Sequence, residues 1–380
     1  MKKTLLAAAL LAGFATAGVA QAETSVTLYG ILDTGYGYQN YKLDRNGTDM
    51  RARSSGLRDG TFNGSRWGLK GAEDLGDGLR AIFQVEAHVN LGSSGGAAQS
   101  GFNRQSFVGL SSDSWGTFTM GRQYSAGVDT NLTANGVNWG DMDKVFGSTG
   151  LGGGTRVDNS FKYVTPDMSG FKAIVMYGTG AADGTTVART NGVSTDERGS
   201  RVSLGALYAN GPIGVGASYD RQSAYGNNAD GSDRKAMTNW QINGSYDFEV
   251  VKLSLAYGQD RNGKIGWNGA NPLSLDGTTA IKAYNGGSYE DFKSNNYHVG
   301  LSAPIGGGTL YAGWNYSTSN LDNSDKLGDD AGSISTYQVN YLYPLSKRTS
   351  VYAYGTYGRN LGYVKDLKGT EAGIGVNHKF

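Results

Sequence analysis

The sequence predicts an all-β chain, a 16-stranded antiparallel transmembrane β-barrel, and three observations carry that expectation. Apolar residues alternate with small or polar ones at period two over most of the chain, as a strand with two different faces requires. The connections between these segments are short and long in turn. Composition points away from a large apolar core: 61 Gly and 24 Tyr stand beside 5 Pro, 38% of residues are hydrophobic, and mean hydropathy is −0.41. After the first residues there is no run of 18 apolar residues, which excludes helical spans.

The chain opens with MKKTLLAAALLAGFATAGVAQA, in which Lys2 and Lys3 precede an apolar run that ends in the small-x-small triplet Ala20-Gln21-Ala22. This is the pattern of a cleaved export signal over residues 1–22. Its removal leaves one domain, 23–380, and losing the two lysines turns the net charge from +1 to −1. So balanced a charge gives no reason to expect a nucleic-acid partner. With no cysteine, an exported chain of this size must be stabilised by something other than disulfides.

The expected strands follow in order, with approximate limits 25–38, 65–74, 78–89, 103–112, 116–124, 159–165, 170–178 and 201–210. Eight more lie near 213–222, 236–247, 250–261, 294–304, 308–319, 334–344, 350–360 and 369–380. In IGVGASYDR one face carries Ile213, Val215, Ala217 and Tyr219, the other Gly214, Gly216, Ser218 and Asp220. VKLSLAYG, TLYAGWNYS and YQVNYLY repeat the pattern. Seven tight turns, such as LGDG at 75–78 and NGP at 210–212, alternate with eight longer polar segments that include 39–64, 125–158, 262–293 and 361–368. All long loops then emerge at one end, with both chain termini at the other.

A soluble β-sandwich is the competing architecture, since alternation alone does not say which face meets water. The apolar rows here carry Tyr and Phe at their ends and small aliphatics between, which fits an aromatic girdle around an apolar band. The opposite rows are Gly, Ser, Asn and charge. A closed barrel pairs every backbone group, leaves no edge in lipid and keeps a polar lumen. Sixteen strands are enough to leave an aqueous channel.

Four stretches carry a resemblance to a known family: SVTLYGILDTGY, SRWGLKGAEDLGDGLRAIFQVE, NRQSFVGLSSDSWGTFTMGRQ and the terminal GIGVNHKF. Over the whole of 23–380 the chain resembles the trimeric general porins of Gram-negative outer membranes, those of β-proteobacteria especially. The resemblance implies a channel for passive diffusion of ions and small hydrophilic solutes, working as a homotrimer amid outer-membrane lipid and lipopolysaccharide and inserted by the barrel-assembly machinery. It also implies that the loop at about 125–158 folds into the lumen, its acids facing a basic wall. On that footing Asp129, Asp141 and Asp143 are the loop acids, with Glu86 added from the strand LRAIFQVE, where it shares a face with Arg80 and Gln84. Arg66, Lys70, Arg80, Arg104 and Arg122 form the expected wall. Alternation places Arg66 and Lys70 on the face opposite Trp67 and Leu69, whereas Arg122 falls in phase with Phe118 and Met120 unless a bulge intervenes. Phe380 resembles the terminal aromatic that such assembly machinery reads.

Other chemistry is poorly supported. His88, His298 and His378 are the only histidines and lie on separate expected strands, so neither a metal site nor a nucleophile triad is expected, and no cofactor is. An outer-membrane barrel enzyme is the alternative class, but it needs a nucleophile or acid cluster beside a histidine at the rim.

Overall fold

The computed structural model describes residues 25–45, 48–92, 101–131, 156–180, 189–190, 193–194, 199–223, 235–262, 291–320, 332–363 and 365–380. Residues 1–22, the expected signal, and most of the long-loop residues lie outside them. The strands are β1 (Ser25–Arg45), β2 (Thr48–Asp59), β3 (Arg66–Gly76), β4 (Leu79–His88), β5 (Ser106–Ser112), β6 (Gly116–Tyr124), β7 (Arg156–Val164) and β8 (Phe171–Gly178). A two-residue pair follows, β9 (Arg189–Thr190) and β10 (Val193–Ser194). The remainder are β11 (Arg201–Asn210), β12 (Ile213–Gln222), β13 (Met237–Asp247), β14 (Lys252–Arg261), β15 (Lys293–Ile305), β16 (Gly308–Ser319), β17 (Ser333–Pro344), β18 (Thr349–Arg359) and β19 (Lys368–Lys379). One short helix, α1 (Ala126–Asp129), follows β6. No described helix is long and apolar enough to cross a membrane.

Apart from β9 and β10, each strand pairs antiparallel with its neighbours, and β1 pairs with β19 from Ile31↔Lys379 to Lys42↔Lys368, which closes the sheet. β2 and β3 lie end to end along the same edge of β1: Thr34 faces Asp59, and Ile31 faces Arg66. They make one stave broken at 60–65, so the barrel has sixteen staves.

Faces sort as the alternation requires, with the apolar rows outward. Along β12 Ile213, Val215 and Tyr219 are exposed, while Gly214, Gly216, Ser218 and Asp220 are buried. The buried polar side chains line the lumen and bond one another: Asp260 accepts from Asn239, from Ser294 at 3.1 Å and from Asn296 at 2.6 Å. Satisfying buried polar groups in this way avoids a desolvation penalty of about 1–3 kcal/mol each.

The first long loop is a correction. Residues 39–64 were expected to be a polar loop, but β1 continues to Arg45 and β2 returns against it to Asp59. At about 3.3 Å per residue, 21 residues far outrun the hydrocarbon core, so the hairpin's upper part stands in water. Segment 60–65 is then tied inward by Asp33, which is fully buried: its carboxylate accepts from the backbone of Phe62 and Asn63, from Tyr352 at 2.8 Å and from Asn377 at 2.8 Å. The last loop differs too. In place of a uniformly polar segment at 361–368, Leu361, Tyr363 and Leu367 are buried, and the Tyr363 ring meets Phe292 edge-on.

Candidate pore constriction

β3 and β4 run antiparallel with Arg66 opposite His88 and Lys70 opposite Gln84, so these side chains share the lumen face with Glu86. Glu86 is buried and is the centre of the cluster. Its Oε1 accepts from Arg104 Nε at 2.5 Å and lies 3.9 Å from Arg66 Nη1. Its Oε2 accepts from the Tyr29 hydroxyl at 3.2 Å, and Lys70 Nζ stands 5.6 Å from the centre of the Tyr29 ring. Arg104 is aligned from the backbone as well, since its N–H donates to the Glu86 carbonyl at 2.9 Å.

Tyr124, at the end of β6, extends the cluster. Its hydroxyl accepts from Arg104 Nη2 at 3.4 Å and from Arg156 Nη2 at 2.5 Å, and the Arg156 guanidinium stacks 4.4 Å over its ring. Arg66 and Arg104 thus flank Glu86 directly, and Lys70 and Arg156 join the group through Tyr29 and Tyr124, so that among the described residues the linked group holds four cations and one carboxylate, an excess of three positive charges. Stripped of partners and facing lipid at the midplane, each would cost about 2–4 kcal/mol.

The other expected site residues are distributed differently. Register slips between Gly121 and Gln123, and Arg122 sits in that bulge, donating through Nε to the Asn103 carbonyl at 2.8 Å and pairing with Asp158. Arg80 is a correction: it lies at the short-turn end of β4, paired with Asp113 at 2.5 Å, eight residues and roughly 26 Å of strand from His88. Glu86, expected to oppose the basic wall, belongs to it and offsets part of its charge. Asp129 faces a wall cation, though not an expected one: Lys162 of β7 donates to it at 2.6 Å. Burial holds the Asp129 carboxyl pKa above its ordinary value, and Lys162 offsets only part of that rise. Asp141 and Asp143 lie outside the described residues.

Of the loop after β6, the described residues 125–131 turn toward the lumen. Past Tyr124 the chain leaves the sheet, and α1 lies against the lumen face of β11, β12 and β13. The Ala126 N–H donates to Ser203 Oγ at 2.9 Å, and Gln241 Nε2 donates to the Gly127 carbonyl at 2.8 Å. Gly216 makes this approach possible, because a Cβ there would stand 1.9 Å from the Thr130 carbonyl oxygen. Replacing Gly216 by Val overpacks the contact by about 1–3 kcal/mol, a strain the loop relieves by moving toward the pore axis. Lower unitary conductance is expected in planar bilayers, with Gly355→Ala, where the added Cβ meets open space, as the unchanged control.

Arg156 and Lys162 are the functional side chains that sequence reasoning passed over. FKYV puts Lys162 between Phe161 and Tyr163, an inward cation between two outward rings. Arg156 gave no such signal, since β7 carries positive φ at Asn159 and its alternation breaks there.

Comparison with known proteins agrees with this architecture. The family model for Gram-negative porins matches residues 7–363. An outer membrane porin protein of Bordetella pertussis is 41% identical over 402 residues, covering 100% of each chain. Outer membrane porin protein 32 of Delftia acidovorans is 32% identical, over 98% of this chain and 92% of its own. The solved structure of an anion-selective porin from Comamonas acidovorans superposes with a TM-score of 0.67 at 24% identity, covering 94% and 100% of the two chains. With a closed barrel of sixteen staves, a polar charged lumen and these relatives, the chain belongs to the Gram-negative porin family and forms a water-filled channel across the outer membrane for passive diffusion of ions and small hydrophilic solutes.

Proposed function

We propose that the channel passes anions modestly better than cations, and that Arg66, Lys70, Arg104 and Arg156 set this preference. The observation that supports it is the group of four cations linked to the single carboxylate of Glu86. Beside them, Arg122 with Asp158 and Lys162 with Asp129 are ion pairs of no net charge, and Asp59, 3.7 Å from His88, adds one carboxylate at the edge of the group. At physiological salt the screening length is about 8 Å, similar to the radius of such a pore, so the excess charge biases ions without closing the channel to either sign. The solved neighbour named as anion-selective is consistent with this reading.

The working assembly we propose is a homotrimer, as the family resemblance implies, with the apolar outward rows divided between lipid and neighbouring copies. Purified protein in a planar bilayer should give stepwise ohmic conductance, with steps grouped in threes. In a potassium chloride gradient its reversal potential should carry the sign of anion preference, and more strongly at low salt. A reversal potential of zero or of the cation sign in dilute salt would overturn the assignment.

A further inference from the structure

The lumen wall is mostly amide, hydroxyl and charge, but one sector of it is carbon. On β18 Tyr352 and Tyr354 turn inward with Ala353 outward between them, and the register sets Leu342 opposite Tyr352, Asn340 opposite Tyr354 and Tyr311 opposite Asn340. Phe62, from the segment tied down by Asp33, lies on this patch with its ring centre 5.9 Å from that of Tyr352. Tyr352 and Tyr354 are buried, whereas Phe62, Tyr311 and Leu342 are only partly so. The two buried tyrosines spend their hydroxyls on neighbouring acids, Tyr352 on Asp33 at 2.8 Å and Tyr354 on Glu371 at 3.1 Å. What the patch offers the lumen is therefore ring and aliphatic carbon.

This patch adjoins the basic group. Asp33 is the next inward residue of β1 after Ile31, the cross-strand partner of Arg66. Segment 60–65 bridges the two features: Phe62 lies on the patch, and two residues on, at most about 7 Å of chain, Gly64 faces Arg104. A Cβ at Gly64 would stand 3.2 Å from Arg104 Nη1, so the missing side chain keeps that donor open. Arg104 uses Nε on Glu86 and Nη2 on Tyr124, and no hydrogen bond among the described residues takes Nη1.

We propose that these neighbouring features form a subsite for aromatic monocarboxylates, with the carboxylate on Arg104 and the ring against Phe62, Tyr311 and Leu342. The inference rests on the reading of Arg104 as part of an anion-attracting group, and adds to it the chemistry of the anion's body. A planar guanidinium matches a carboxylate in shape as well as in charge. Acetate gains the charge but has little apolar surface to remove from water, and an uncharged arene gains the patch alone. An aryl carboxylate gains both, its ring meeting Phe62 offset-stacked or edge-on. Binding stays weak enough for the solute to leave, so the subsite biases passage.

The test is block of the chloride current through single channels of the folded, purified chain in planar bilayers, titrated with potassium benzoate or potassium acetate. Benzoate should half-block at a concentration about tenfold below acetate. Phe62→Ser with Tyr311→Ser should raise the benzoate value about tenfold, to that of acetate, and leave the acetate value where it was. Phe62→Tyr should retain the preference, since the ring stays, and Arg104→Gln should weaken both anions together. Should heat-modifiable gel migration show the double variant unfolded, Tyr311→Ser alone, which leaves segment 60–65 intact, should still weaken benzoate about threefold. Equal half-block by benzoate and acetate in a channel that prefers anions overturns this inference alone, as does a benzoate preference that survives loss of both rings. A channel with no anion preference overturns the reading of Arg104 on which the inference rests.

Discussion

Replacing Arg104 by Glu is expected to lower the anion preference of the pore, and replacing Glu86 by Gln to raise it. Arg104 and Glu86 are in contact at 2.5 Å, so both substitutions break the same ion pair. A purely structural effect would therefore move the reversal potential in one direction, whereas the charge argument requires opposite directions. Four cations and one carboxylate give an excess of +3; Glu86→Gln takes it to +4, and Arg104→Glu, with both carboxylates ionised, to +1. One charge about 10 Å from an ion in water contributes roughly 0.4 kcal/mol before screening, which favours one sign and disfavours the other. After screening in 0.1 M salt, the anion-to-cation permeability ratio should change about twofold per charge. Reversal potentials measured in dilute and concentrated salt check both the sign and the screening. If both variants shift the same way, the cluster around Glu86 does not set selectivity.

The barrel was legible in the sequence because lipid on one side and water on the other impose opposite chemistry on alternate residues. Where that contrast is strong, as in IGVGASYDRQ, the strand limits 213–222 follow from the pattern. Where it is absent they do not. β2 reads TDMRARSSGLRD, and its outward row of Arg51, Arg53 and Ser55 is polar because the hairpin stands above the bilayer, so the segment looks like a loop. The site follows the same rule. Arg66 and Lys70 were placed by phase, and Arg104 by the resemblance, but Arg80 shares its phase with Glu86 and still lies at the other end of the strand. Alternation fixes a face and says little about depth. Arg122 and Arg156 sit at or beside a bulge, where even the face is lost. Pairing partners are less legible still: nothing in the sequence joins Lys162 to Asp129, since that contact depends on the path of the loop that carries α1.

Removing Phe380 is expected to reduce folded protein in the outer membrane severalfold while leaving the conductance of each assembled channel unchanged. The last residue is part of the seam. Its N–H donates to the Gly30 carbonyl and its carbonyl accepts from the Gly30 N–H, both at 3.0 Å, which extends the β1–β19 ladder by one pair. Its ring lies over Gly30, where an added Cβ would stand 2.2 Å from the ring. Two backbone bonds at about 1 kcal/mol each and a partly buried ring put the seam's loss at roughly 3 kcal/mol. Deletion alone does not separate two causes, because it removes both the seam contact and any terminal aromatic that an assembly factor reads. Gly30→Val does separate them: it evicts the ring from its place and leaves the terminus intact. If packing at the seam governs closure, Gly30→Val and the deletion should both slow unaided refolding into detergent, followed by heat-modifiable gel migration. If recognition of the terminus governs assembly, Gly30→Val should reach the membrane normally, and the deletion should refold in detergent at the rate of the unaltered chain. The geometry at Gly30 favours the first outcome, since closure of a sixteen-stave barrel depends on its final pair of strands and Phe380 is the last pairing residue of that seam.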